Sequence, residues 1–483
     1  MQALMVQGTG SGVGKSWLCT ALCRLAARRG LRVVPFKAQN MSNNAAPARM
    51  LDGGWGEIGR AQAAQAFACG QEPHVDMNPI LLKPVSERGS EVVVSGRSVG
   101  TMLARDYRAR RAEWWEAVTG AYARLDADLV IIEGAGSPAE INLRAGDLVN
   151  MTMAHHADAP VLLVGDIDRG GVFAALYGTL ALLDEADRAR VRGLLINRFR
   201  GDPEILRPGI APFEARVGLP VRGVVPYRPD IAIEEEDSQD IRSSVGTVDI
   251  CVLRLPTVAN FTDLGALARE PGVGVRYEID AERVGTSDLL VLPGSRDTEA
   301  DMRWMRARGL DRVVLAAAAR QTPILGLCGG LQMLGRRLGD QAGLDLLPVE
   351  TAYAEEKRVR PVAGLTCAGW LLPAGLTVEG YEIHHGRTAS VSPLVHLKTP
   401  DGAPDGAIQG LVAGTYLHGL LDSAPVRQAL VAALRVRRGL DSAAPSPERD
   451  RLAACDAAAD LVERHVDLTG LLPAAKVSGG RAA

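Results

Sequence analysis

Gly8-Thr9-Gly10-Ser11-Gly12-Val13-Gly14-Lys15-Ser16 follows an apolar run from Ala3 to Val6 and opens a helical pattern from Gly14 to Arg29. Strand, glycine-rich loop and helix in that order are the setting that a phosphate-cradling loop requires. Small residues such as Gly12 and Gly14 let successive backbone N–H groups close on phosphate oxygens, and the helix N-terminus adds positive potential. Lys15 is placed to reach the β and γ phosphates of a nucleotide, and Ser16 to ligate Mg²⁺, so ATP and Mg²⁺ are the expected cofactors. In the helical pattern Leu18, Leu22 and Leu25 share one face, basic residues gather near the end, and Gly30 suits a left-handed stop.

Outward from that loop, apolar, β-branched-rich runs at Arg32 to Phe36, Leu129 to Ile132, Val161 to Val164 and Leu194 to Ile196 alternate with helical stretches. This is the pattern of a mostly parallel sheet with helices on both faces. The Leu129 to Ile132 run ends in Glu133, at the sheet edge where open α/β folds bind ligands. A hard carboxylate oxygen there suits Mg²⁺, so Ser16 and Glu133 form the candidate metal site; the rival for Glu133 is a solvated strand end. Asp166 and Asp168 occupy a similar edge and are weaker candidates.

From Pro226 to Gly246 the pattern gives way to proline, charge and serine, with an acidic run from Glu234 to Asp237 that reads as a solvated linker. A second α/β series begins with Ile250 to Leu255, Leu289 to Leu292 and Pro323 to Leu327. The expected organisation is therefore an ATP-binding domain over 1–230, a linker over 231–247, a second mostly parallel α/β domain over 248–437, and a tail over 438–483 with a docked helix from Glu448 to Val466.

In the second domain, Gly326-Leu-Cys328-Gly-Gly330-Leu-Gln332 sets a cysteine at the apex of a strand-to-helix turn, a thiol version of the nucleophile elbow. The helix N-terminus favours the thiolate, side chains at the flanking glycines would crowd a tetrahedral intermediate, and the N–H of Gly329 is placed to meet its oxyanion.

Composition narrows the rest. At 483 residues the chain exceeds one compact core, and 47% hydrophobic with 23% charged residues is ordinary for a globular protein. A net charge of -3 and no basic run longer than Arg108 to Arg111, broken by Ala109, argue against nucleic-acid binding. No apolar run reaches the roughly 20 residues of a membrane span, and the N-terminus lacks a leader pattern. Seven cysteines without metal-type spacing, Cys19 and Cys23 sharing one helix face, read as reduced thiols in a cytoplasmic protein. Oligomeric state is not legible.

Several of these segments resemble known families. Thr9, where the strict phosphate-loop pattern has glycine, is similar to the dethiobiotin synthetase branch of P-loop proteins; Gly10 stands where partition and septum-site ATPases carry an extra lysine. That resemblance implies a further cation at Lys37 for the transferred phosphoryl group and adenine recognition at Asn197, against the plainer readings of a surface lysine and a turn-forming asparagine. The Gly-x-Cys-x-Gly-x-Gln spacing resembles class I, flavodoxin-like glutamine amidotransferases. It implies Cys328 as nucleophile, His418 in Gly414-Thr-Tyr-Leu-His418-Gly419 as its base, and an oxyanion loop at Pro293-Gly294-Ser295. Many members carry Glu two residues after the histidine; here it is Leu420, so what orients His418 is open. His384 and His385 lie in a segment that resembles one near the family's substrate.

Pro35-Phe-Lys-Ala-Gln-Asn-Met-Ser-Asn-Asn44, Asn78 to Pro84, Glu133 to Leu143, Gly165 to Ala174, Asn197 to Gly201 and Asn260-Phe-Thr-Asp263 together resemble the cobyric acid synthase family across both domains. The resemblance implies ATP- and glutamine-dependent amidation, through acyl phosphates, of the b, d, e and g carboxylates of adenosylcobyrinic acid a,c-diamide in cobalamin biosynthesis. A corrinoid and glutamine are then the partners. The neighbouring alternative is cobyrinic acid a,c-diamide synthase, which resembles a Gly-Pro-Asp-Tyr pattern where this chain has Ala38-Gln39-Asn40-Met41. An alternative of another class is a P-loop ATPase switch carrying an inactive amidotransferase-like module.

Overall fold

Successive residues of the first strand, Gln2–Gly8, face opposite ways, and both directions are apolar: Ala3 and Met5 enter one core, Leu4 and Val6 another. Such a strand is stable only between two layers of helix. The computed structural model, which describes residues 1–85, 89–231, 233, 243–390, 392–399, 402–442 and 450–474, builds that arrangement twice.

The first sheet runs, edge to edge, Val221–Pro226, Val191–Phe199, Val161–Asp166, Gln2–Gly8, Leu129–Glu133 and Val33–Phe36, all parallel. Helix Lys15–Arg28 covers one face, with Leu18 and Leu22 at 0% and 2% exposure. Burial on that scale contributes roughly 1.5–3 kcal/mol per leucine. Gly30 takes the left-handed conformation that ends this helix. On the same face lies the C-terminal helix, Arg451–His465, capped by Asp450 and inserting Leu461 and Val462 into the core beside Leu18. Its outer edge pairs with Lys15–Arg28 through Arg24–Asp456 at 2.7 Å and Arg28–Asp460 at 2.6 Å. The chain thus returns to its first domain. The acidic run at 234–237 and the predicted helix start at Glu448 lie outside the described residues.

The second sheet runs Val273–Glu278, Val248–Leu253, Leu289–Leu292, Ile324–Leu327, Val412–Thr415 and Ala407–Gln409, parallel except for the last pair. Both sheets therefore have the mostly parallel, helix-covered form expected. Two largely antiparallel additions lie outside that expectation, the first of them opening with the parallel pair of Gln39–Met41 on Ile80–Pro84. Between Val33–Phe36 and Leu129–Glu133 the chain inserts the sheet Gln39–Met41, Ile80–Pro84, Gly89–Val94 and Arg97–Leu103, together with the hairpin Ala45–Arg49 and Trp55–Gly59. The second domain adds the long pair Glu350–Thr366 and Thr377–Thr388. These elements meet: Ala45, Leu81 and Val93 of the insertion share a small core with Tyr381 and Ile383. Among the described residues no helix is long and apolar enough to cross a membrane, and no disulfide joins any of the seven cysteines.

Candidate active sites

Two groups of reactive side chains stand at the C-terminal edges of the two parallel sheets. At the first, Gly14 has φ 91° and starts the helix; a Cβ on it would come within 2.3 Å of Asn197 Nδ2. Asn197 is buried and its Nδ2 donates to Val13 O at 2.8 Å, so it braces the loop. Lys15 Nζ donates to Gly10 O at 2.9 Å and Gly136 O at 3.3 Å, folded over the concavity where phosphates would lie.

Because Leu129–Glu133 pairs with Gln2–Gly8 in register, Val6 opposite Glu133, the carboxylate meets the first turn of the helix. Ser16 Oγ donates to Glu133 Oε1 at 2.9 Å, and Lys37 Nζ donates to the same oxygen at 2.9 Å. Gln65 Nε2 donates to Glu133 Oε2 at 2.6 Å. Burial alone would raise the Glu133 carboxyl, but the Lys37 ammonium and the bonds from Lys37, Gln65 and Ser16 hold it below the ordinary glutamate range. An ionised carboxylate sharing a hydrogen bond with the Ser16 hydroxyl, at the foot of a phosphate-type loop, is a donor set that fits Mg²⁺. Lys37 is no surface residue: at 4% exposure it forms a buried ion pair whose one-sided removal costs roughly 3–5 kcal/mol. Asp166 and Asp168 are engaged elsewhere, by Arg198 at 3.2 Å and Arg200 at 2.9 Å respectively.

At the second edge, Ile324–Leu327 pairs with Val412–Thr415, Leu327 opposite Thr415, so the residues that follow each strand emerge side by side. Cys328 sits in the strained turn with φ 49° and ψ −102°, capping the helix Gly329–Leu334. A Cβ on Gly329 would lie 2.8 Å from Ser295 N, and one on Gly330 would meet Leu292 O at 2.0 Å, so neither position admits a side chain. Gly329 and the Gly294-Ser295 loop thus stand against each other beside Cys328.

His418 is 1% exposed and clamped by backbone bonds to Tyr381 in both directions, at 3.0 and 2.9 Å. Its Nδ1 lies 2.6 Å from Asp263 Oδ2, and Asp263 Oδ1 accepts from Gly419 N at 3.2 Å. Asn260 Nδ2 lies 3.2 Å from His418 Nε2. Burial would lower the imidazole, yet Asp263 and contact with Cys328 push it up to about 10. The orienting acid therefore comes from a turn far upstream, not from the position after the histidine. In the sequence Asn260 and Asp263 stand out only as part of a segment that resembles the family, and no spacing ties them to His418.

Cys328 and His418 open into a cavity of about 660 Å³ whose far wall belongs to the inserted sheet. There Lys357 bonds Glu57 at 2.7 Å and Glu91 at 2.8 Å, with Lys83 against Glu57 and Arg296 against Glu91. His384 and His385 also line this cavity; His384 is stacked on Tyr416 and bonded through Nδ1 to Gly386 O at 2.7 Å.

Residues 4–241 match the CobQ/CobB/MinD/ParA nucleotide binding domain, and residues 249–426 match the CobB/CobQ-like glutamine amidotransferase domain. The chain is similar to a cobyric acid synthase of Desulforudis audaxviator, 50% identical over 459 residues that cover 91% of each chain. It is also similar to one of Moorella thermoacetica, 44% identical over 97% of this chain and 96% of the relative, and to one of Sorangium cellulosum, 46% identical over 96% and 98%.

Proposed function

The chain belongs to the cobyric acid synthase family, and on that premise we propose that it amidates the b, d, e and g carboxylates of adenosylcobyrinic acid a,c-diamide, with glutamine as nitrogen donor and ATP as the source of activation. The observation that carries this reading is the shared cavity: the thiol and imidazole of one domain face residues of an insertion that springs from Lys37 in the other.

In the glutaminase half, Cys328 Sγ attacks the carboxamide carbon of glutamine with its proton already held by His418, the thiolate paired with the imidazolium. The N–H groups of Gly329 and the Gly294-Ser295 loop meet the oxyanion. His418, held by Asp263, returns the proton as the C–N bond breaks, ammonia leaves, and water hydrolyses the thioester to glutamate. In the synthetase half, Gly12, Gly14 and Lys15 hold the phosphates, Ser16 and Glu133 would hold Mg²⁺, and Lys37 adds positive charge at the transferred group; bound Mg²⁺ neutralises developing phosphate charge. A substrate carboxylate oxygen takes the γ-phosphoryl group with release of ADP. Ammonia then displaces phosphate from the acyl carbon and gives up one proton. Asn197 keeps the loop in shape through Val13, and its adenine role is the one the family resemblance implies. A cytoplasmic setting suits seven cysteines outside any disulfide.

The test is incubation of purified protein with each corrinoid, ATP, Mg²⁺ and glutamine, read by mass spectrometry. One amide mass step for each of b, d, e and g on the a,c-diamide is expected. Amidation confined to the undiamidated acid would transfer the chain to the a,c-diamide synthase reaction.

A further inference from the structure

Glutamine hydrolysis as proposed above, on which this inference rests, requires the His418 imidazole to meet Cys328 in one orientation. Asp263, 2.6 Å from Nδ1, decides which nitrogen is turned toward the thiol, but a bond at one ring atom leaves the plane of the ring free to rock. The plane is set by Tyr381, whose ring stacks on the imidazole with centroids 5.2 Å apart and 25° between the planes. The two residues also exchange both backbone hydrogen bonds, and only glycine fits at position 380, where a Cβ would lie 2.0 Å from His418 O. The outer torsion of a tyrosine is broad, so its ring holds a neighbour flat only if its tip is fixed as well.

That fixture comes from the other domain. Arg60 opens the helix Arg60–Ala68, in the chain inserted after Lys37, and its guanidinium donates to Tyr381 Oη at 2.7 Å and to Asp422 Oδ2 at 3.0 Å. Asp422 ends the short turn Leu420–Asp422 that follows His418, with its N–H bonded to Gly419 O at 2.9 Å. One side chain therefore grips both the strand that faces the base and the turn that leaves it. Arg60 is 8% exposed, and its own N–H is held by Asn44 O at 3.1 Å. The segment 38–44, which leaves the synthetase sheet directly after Lys37, braces the same region from another side. There Asn260, 3.2 Å from His418 Nε2, donates its backbone N–H to Asn43 O at 3.3 Å and accepts from Ala45 N at 3.0 Å through Oδ1.

Burying a guanidinium is expensive, and an apolar side chain would dock two domains at lower cost. A planar, forked cation is suited to holding two acceptors at a fixed separation. We infer that Arg60 is a positioning residue for glutamine hydrolysis, supplied by the synthetase domain, which fixes the His418 imidazole through Tyr381 and Asp422.

The test follows glutamate release by the full-length enzyme at neutral pH, with corrinoid, ATP, Mg²⁺ and varied glutamine. Arg60→Gln is expected to lower kcat roughly ten- to a hundredfold, the scale of a misplaced catalytic group, with KM for glutamine within about twofold of wild type. Ammonium-supplied amidation should be retained. Tyr381→Phe, which keeps the stacked ring and removes only the hydroxyl, should also lower kcat, and the double variant should be no slower than Arg60→Gln. Wild-type kcat in Arg60→Gln, a loss confined to KM, or losses that multiply in the double variant overturn the positioning role. If Arg60→Gln loses ammonium-supplied amidation as well, Tyr381→Phe alone decides by the same split: a fall in kcat supports the role and an unchanged kcat overturns it. Release of no glutamate by the wild type would instead refute the reading of Cys328 and His418 as a glutaminase.

Discussion

The phosphate-loop edge and the glutaminase edge have the same architecture, a parallel sheet whose strand ends deliver reactive groups, yet they are assembled differently. At the first, the loop, Lys15 and Ser16 are contiguous, and Glu133 follows a strand paired directly with the one before the loop. At the second, Cys328 and His418 follow adjacent strands, while the acid that orients the imidazole arrives from Asp263, in a short helical turn after a different strand. A site that grips a polyanion can be made largely from one stretch of backbone. A relay of proton carriers needs side chains at fixed angles, and the chain can bring each from anywhere.

The sharpest way to separate the two edges is substitution at each nucleotide- or thiol-handling centre. Cys328→Ala should lower glutamine-supplied amidation by roughly a thousandfold or more while leaving ammonium-supplied amidation intact. Lys15→Ala should depress both by roughly a hundred- to thousandfold. Product mass under each nitrogen source is the readout, and equal loss of both in a folded Cys328→Ala would dissolve the division of labour.

Asp263→Asn sharpens the comparison within the second edge. With the tautomer and charge of His418 no longer held, glutamate release should fall roughly a hundredfold or more, again without effect on ammonium-supplied amidation. The Leu420→Glu variant should not rescue it, because the place beside Nδ1 is already the one Asp263 fills.

A smaller effect concerns stability. His418 has an ordinary value of 6.5 unfolded and is pushed up to about 10 in the fold, so between those values the folded state binds more protons. Its stabilisation is fully present below about 6.5 and is lost as pH rises through 10. Denaturant melts across that window should show a decline that Asp263→Asn flattens. Least of all should the C-terminal clamp matter: Asp456→Ala removes an ion pair with Arg24 that is partly open to solvent, and is expected to cost less than about 1 kcal/mol.

Much of this was legible beforehand because it is local. The parallel strands announce themselves as apolar runs, and glycine spacing around Lys15 and Cys328 reports backbone that must turn tightly or admit a close neighbour. The inserted sheet was not legible. Its strands are short, and Arg97–Leu103 is exposed along most of its length, so no apolar alternation marks it. Asp263 escaped for another reason: an acid in a polar turn looks like any other until the partner it touches is known. Lys37 illustrates the same point, since an isolated lysine after a strand reads as surface until Glu133 is found 2.9 Å away.

By itself, then, the order of residues determined the two α/β halves, the phosphate loop, the thiol elbow and the family, because each rests on dihedral freedom, period and spacing within a few consecutive positions. Tertiary structure alone decided which acid holds His418, that Glu133 is shared by Ser16, Lys37 and Gln65, and that the segment after Lys37 ends at the glutaminase. Those are contacts between residues distant along the chain, and only the packing of one layer on another brings them within hydrogen-bonding reach.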